Sequence, residues 1–156
     1  MTVLHMPTGT GPAVFVRLSP GTDLITGIEE ACRERGICCG AIVSCIASLR
    51  RASFFVVVPM DNAVGGGYSD PVHLESPVEI VSAQGSIGTE ADGALFVHLH
   101  AAVADSQGNA HGGHLLRGRC PILITSEIVI LPFTDLRLVR THDPEAGMPI
   151  LKPVAG

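Results

Sequence analysis

Along this chain, apolar and polar residues follow a helical period once, near the start, and then a strand-like one. Leu24, Ile25, Ile28, Ala31 and Cys32 recur at three- and four-residue spacing, which places them on one stripe of a helix. Thr22 or Asp23 supplies its N-cap, and Gly36 stops it after Arg35. Glu29 and Arg33, four apart on the outer face, are expected to pair weakly. Before the helix, residues 13–18 read as a strand and Ser19-Pro20-Gly21 as a turn. After it, short apolar runs predict strands over 41–47, 53–59, 78–87, 94–104, 122–131 and 136–140, with Gly85 as a candidate bulge. Residues 60–77 read as a long irregular loop around Gly65-Gly66-Gly67. His73 in that loop is either a further ligand or substrate contact, or simply exposed. Residues 1–12 read as a loose arm. Residues 141–156, with prolines at 144, 149 and 153, read as an extended tail suited to lie against a neighbouring subunit. The expected fold class is α+β, a mainly antiparallel β-sheet with one main helix in a single compact domain over 13–140.

The most informative stretch is His98-Leu99-His100, then Asp105-Ser106-Gln107-Gly108, then Gly112-Gly113-His114. Side chains alternate along a strand, so His98 and His100 share a face. A three-residue loop of Ser106, Gln107 and left-handed Gly108 sets Asp105 against Asn109. His100 then lies opposite His114, and all three imidazoles share one face. A two-residue loop would instead put His114 opposite Leu99 and on the wrong face. On the favoured register His111 faces away and is left out of the site. Three neutral imidazoles suit zinc or another divalent metal and leave a fourth position open. The alternative is three ordinary polar positions on a solvated sheet face.

Composition narrows the partners. The chain has 156 residues, 46% hydrophobic and 16% charged, which is globular rather than disordered. With no Trp and one Tyr, it lacks a stacking surface for single-stranded nucleic acid. A net charge of -5 argues against DNA, although Arg50, Arg51, Arg117 and Arg119 leave a local patch open. Arg117-Gly118-Arg119-Cys120-Pro121 is a poor match to an AT-hook core and reads as a turn between strands. Five cysteines without regular spacing, no signal-peptide pattern and no membrane-length apolar run lead to the expectation of a reduced, cytoplasmic protein. Adjacent Cys38 and Cys39 are read as small buried residues before chelators.

Metal-assisted hydrolysis or proton transfer also needs an acid or base. Glu79 and Glu127 stand out because each sits within an apolar strand. Arg17 in Val14-Phe15-Val16-Arg17-Leu18 suits a substrate carboxylate, or a structural pair with Glu79. For each of these singly, a solvated face is the plainer explanation.

The order of motifs resembles the plants-and-prokaryotes conserved (PPC) domain. It rests on Arg17 before Pro20-Gly21, Gly36-Ile37 with Gly40-Ala41-Ile42, Pro77-Val78-Glu79-Ile80 with Gly85, the histidine hairpin, and Glu127-Ile128-Val129-Ile130. It covers residues 13–140 and departs from the family at 44–48, where glycines are commoner. The resemblance implies a compact α+β domain assembling as a homotrimer. Bacterial relatives are often called DNA-binding, since in plants the domain accompanies AT-hooks. The fold and histidine pattern are also similar to acetolactate decarboxylase, a zinc enzyme. By that analogy His98, His100 and His114 hold zinc, with Glu79, Glu127 or Arg17 nearby as catalytic groups. Two functions stand side by side: a small-molecule metalloenzyme of lyase or hydrolase type, and a DNA-binding regulator or oligomeric scaffold with a structural or vestigial metal site.

Overall fold

The computed structural model describes residues 4–156. Its elements run β1 (Val14–Val16), α1 (Leu24–Glu34), β2 (Gly40–Leu49), β3 (Ala52–Phe55), β4 (Val57–Pro59), β5 (Gly66–Tyr68), β6 (Val72–Leu74), β7 (Val78–Glu90), β8 (Leu95–Ala104), β9 (Ala110–Leu115), β10 (Ile122–Pro132), β11 (Leu136–Asp143) and β12 (Met148–Ala155). One ten-stranded sheet has the order β1-β10-β2-β7-β8-β9-β3-β6, with β11 joining β7 in parallel and β12 pairing β11. β4 and β5 form a separate ribbon. The α+β class, the dominance of antiparallel pairing and the single main helix are as the sequence predicts.

The helix forms where its local chemistry directs. Asp23 caps it, its Oδ1 accepting from the Thr26 amide at 3.1 Å while Oδ2 accepts from the Cys120 amide at 2.8 Å. Leu24, Ile28 and Cys32 are fully buried and pack against one sheet face. Alternate strand residues complete that core: Ile42, Ile80, Ile87, Leu99, Val103, Leu115, Ile122, Ile128 and Ile130 are all at most 1% exposed. The opposite face of the sheet carries His98, His100 and His114.

Several expectations need correction. Glu29 does not pair with Arg33. It is buried and held by Arg117, whose Nε and Nη2 donate to the carboxylate at 2.8 to 3.0 Å, while Arg33 pairs with Glu30. An interior carboxylate gains more from a bidentate guanidinium than from an exposed neighbour. Gly85 is not a bulge, since it pairs regularly with Leu99. A Cβ there would lie 1.9 Å from the His98 carbonyl oxygen. The β7 irregularity falls between Ile80 and Ser82. The predicted strand over 53–59 is two strands, β3 and β4. The 60–77 loop contains β5 and β6, each three residues long and too short to show a period. β2 runs unbroken through residues 44–48. Finally, the tail is not a free extension: β12 pairs with β11 over its whole length. The N-terminal arm is tied down where it is described, with Thr10 bridging Phe133 and the Gly9 amide donating to Asp135.

Candidate metal centre

The site is built by the turn between β8 and β9. Gly108 adopts φ +82°, a conformation that glycine takes without a Cβ clash. The Asp105 amide donates to the Asn109 carbonyl at 3.0 Å, closing a three-residue loop. Asp105 Oδ1 accepts from the Gln107 and Asn109 amides, and Oδ2 lies 2.9 Å from His111 Nε2. The hydrogen bonds from His111 and then Asn109 hold the Asp105 carboxyl well below the usual carboxylate range. His111 therefore fastens the turn and stays outside the site. The register that follows places His100 opposite His114, with Phe55 of β3 on the other flank of His114. Gly112 and Gly113 admit those neighbours: a Cβ on Gly113 would lie 2.2 Å from the Phe55 carbonyl oxygen.

His98, His100 and His114 meet on one face. Their nearest ring nitrogens all lie within 4.8 Å of one another, and His98 Nε2 is 3.0 Å from His100 Nε2. Four-coordinate zinc, bonding nitrogen at about 2.0–2.1 Å, holds neighbouring ligand nitrogens roughly 3.3 Å apart. Two rings therefore stand at ligand spacing, and the third lies within 4.8 Å of them. The donor set fits a divalent ion of borderline softness with one position left over. Among the described residues no cysteine or carboxylate joins this group.

The electrostatics favour neutral ligands. Burial, then the neighbouring His98 and His100, then Arg140, push His114 down to about 4. His98 is lowered for the same kinds of reason: burial first, then His100 and Arg140. Both rings are thus deprotonated at neutral pH, the form that binds metal. Tyr68 Oη lies 3.5 Å from His114 Nδ1, and the two rings meet edge-on at 5.4 Å. A hydroxyl paired with Nδ1 leaves Nε2 as the nitrogen open to a metal.

Beside the histidines is a pocket of about 260 Å³. His98, His114, Tyr68, Phe96 and Arg140 line it together with residues 148–151 of β12. Sequence reasoning missed Tyr68 and Arg140. Tyr68 is the chain's single tyrosine, set among glycines, which was the available signal. Arg140 carries none. The three proposed catalytic groups lie elsewhere in the chain. Glu79 and Glu127 share a separate depression with Ser48, Ile46 and Ile124. Glu79 pairs with Ala104 while Gln84 pairs with His100, five positions along β7, which is roughly 16–17 Å. The Nε of Arg17 donates to Thr125 Oγ1 at 3.1 Å, without an ion pair to Glu79. His73 lies on β6, its Nδ1 2.8 Å from Ser53 Oγ, outside the cluster.

Comparison with known proteins agrees with this architecture. A metal-containing protein of Archaeoglobus fulgidus has a similar structure, with TM-score 0.80 and 27% identity over 97% of this chain and 99% of that one. A plant- and prokaryote-conserved protein of Pyrococcus horikoshii shares the fold, with TM-score 0.80 and 21% identity over 96% and 97% of the two chains. The bifunctional protein GlmU of Synechococcus sp. (strain JA-3-3Ab) is 33% identical over 142 residues, 91% of this chain. That match takes up 20% of the GlmU chain, so this chain spans about a fifth of the length of that relative. Residues 6–134 match the Plants and Prokaryotes Conserved (PCC) domain, and the chain belongs to that family.

Proposed function

We propose that this chain is a small-molecule metalloprotein of lyase or hydrolase type, with one divalent ion, zinc by preference, held by His98, His100 and His114. The observation that carries the reading is three imidazoles converging within 4.8 Å beside a pocket. The similarity to a metal-containing protein at 27% identity supports it. A bound ion supplies Lewis acidity and lowers the pKa of a water. The chain's own residues do the rest. Leu99, fully buried between His98 and His100, anchors their strand, and Tyr68 orients His114. Phe96 and β12 narrow the access of water to the site.

Glu79 and Glu127 as proton-moving groups, and Arg17 as a clamp on a substrate carboxylate, require a second copy to bring them to the pocket. The sheet around the two carboxylates supports association, because Phe15, Ile46, Val81 and Ile124 are 45 to 66% exposed there. We propose that this face joins copies into a homotrimer. Light scattering at one chain mass, with metal bound, would remove these three residues from the reaction. We place the protein in the cytoplasm, as its five free thiols suit a reducing compartment. No helix among the described residues is long and apolar enough to cross a membrane.

Elemental mass spectrometry of untagged protein tests the central reading. About one metal per chain, absent from a folded His98→Ala/His114→Ala variant, is expected. No metal after incubation with zinc would sink it and leave the regulator or scaffold reading. A DNA-binding role is the weaker alternative. The net charge opposes it, and Arg117 of the candidate basic patch is committed to Glu29.

A further inference from the structure

Arg140 is the cation among the residues lining the pocket beside His98 and His114. Its guanidinium carbon lies 4.6 Å from the Phe96 ring centroid, and its Nη1 donates to Glu90 Oε1 at 2.9 Å. Stacking and one hydrogen bond fix the plane of the group. A guanidinium has five N–H donors, so several remain to face a ligand. We propose that Arg140 anchors the carboxylate of a small organic acid in this pocket, next to the metal site on which the proposed function rests.

The chemistry of the walls selects the class. A single planar guanidinium matches the two oxygens of a carboxylate as a fork. Phosphate would use a third contact, and Met148, Pro149, Ile150 and Leu151 offer no charged group for it. Those side chains suit a short hydrocarbon portion instead. The volume admits roughly eight or nine non-hydrogen atoms, at about 30 Å³ each by the yardstick of liquid water. The wall exists because the β11–β12 hairpin closes down on β7. Gly88 permits it: a Cβ there would lie 2.5 Å from the Leu138 carbonyl oxygen and 2.8 Å from Leu151 Cδ2. Both Arg140 and the apolar wall lie beyond residues 6–134, the part matched to the family domain. The hairpin thus sets which acid enters, while β8 and β9 hold the metal ligands.

Calorimetric titration of the zinc-loaded full chain with 2-hydroxy-2-methylpropanoate, its amide and inorganic phosphate tests this. The acid is expected to bind saturably, and the amide at least tenfold more weakly. Arg140→Gln should weaken the acid tenfold or more, and Arg140→Lys by less, with zinc content unchanged in both. Equal binding by Arg140→Gln, equal binding of the amide, or tighter binding of phosphate would overturn the proposal. Should Arg140→Gln fail to fold, Arg140→Lys and the amide decide it. Zinc at one per chain without binding of the acid removes the anchor and leaves the metal reading. Arg140-dependent binding to a chain that takes up no zinc does the reverse.

Discussion

Two hairpins frame the candidate site, and the sheet holds them very differently. β8–β9 is embedded, with β7 along one edge and β3 along the other, and its inward residues Leu99, Val103 and Leu115 are fully buried. β11–β12 hangs from the sheet by two parallel pairs, Val139 with Thr89 and Arg140 with Glu90. Its outward strand exposes Ile150 and Val154. The lesson is a division of labour. The three histidines that could hold an ion stand on backbone that cannot shift alone. Residues that shape the pocket stand on backbone with few ties, where local opening costs least.

That contrast can be broken by substitution. Leu99→Ala empties a fully buried position and should cost about 2–5 kcal/mol in urea unfolding, whereas half-buried Leu151→Ala should cost well under half of that. Comparable losses would show that β12 carries as much of the core as β8. Acid should act on the first hairpin. His114 titrates near 4 in the fold, against about 6.5 when unfolded, so the unfolded chain binds the proton first. Stability of the metal-free protein should therefore be level above pH 7 and fall as pH drops from 6.5 towards 4. Thermal midpoints in chelator should show this slope, and His114→Gln should flatten it. Tyr68→Phe keeps the ring and removes the hydroxyl facing His114, so zinc affinity should fall by roughly tenfold in a competition titration. The smallest effect is expected at the second hairpin: Glu90→Gln breaks a pair about one-third exposed on both sides and should cost about 0–1 kcal/mol. Hydrogen exchange should still speed up there, in β11 amides before β8 amides.

The parts that sequence reading recovers are those governed by local rules. Asp23 and Gly36 bound the helix because caps act within one turn. Asp105 and Gly108 determine a turn, the turn determines a register, and the register brings three histidines together. What escapes are pairings made at long range. Glu29 finds Arg117 across 88 residues of chain, and nothing near either residue announces the other. β12 was obscured by its prolines. On an edge strand every second N–H is unpaired, and Pro149 and Pro153, four apart, share one phase. A sequence that looks too broken for a strand is thus compatible with this one. Tyr68 and Arg140 reach the pocket only because β5 and β11 are folded over it, so their roles belong to the tertiary structure.

The turn at Ser106–Gly108 has a genetic consequence. Surface loops ordinarily absorb the gain or loss of a codon. Here one codon more or less, with the loop kept at three residues, would change the parity of β9 against β8 and exchange what His114 and Leu115 face, burying an imidazole and exposing a leucine. Point changes at Ser106 and Gln107, both exposed, should pass unnoticed, while in-frame indels at the same codons should be purged. In this stretch the spelling should be free and the length fixed.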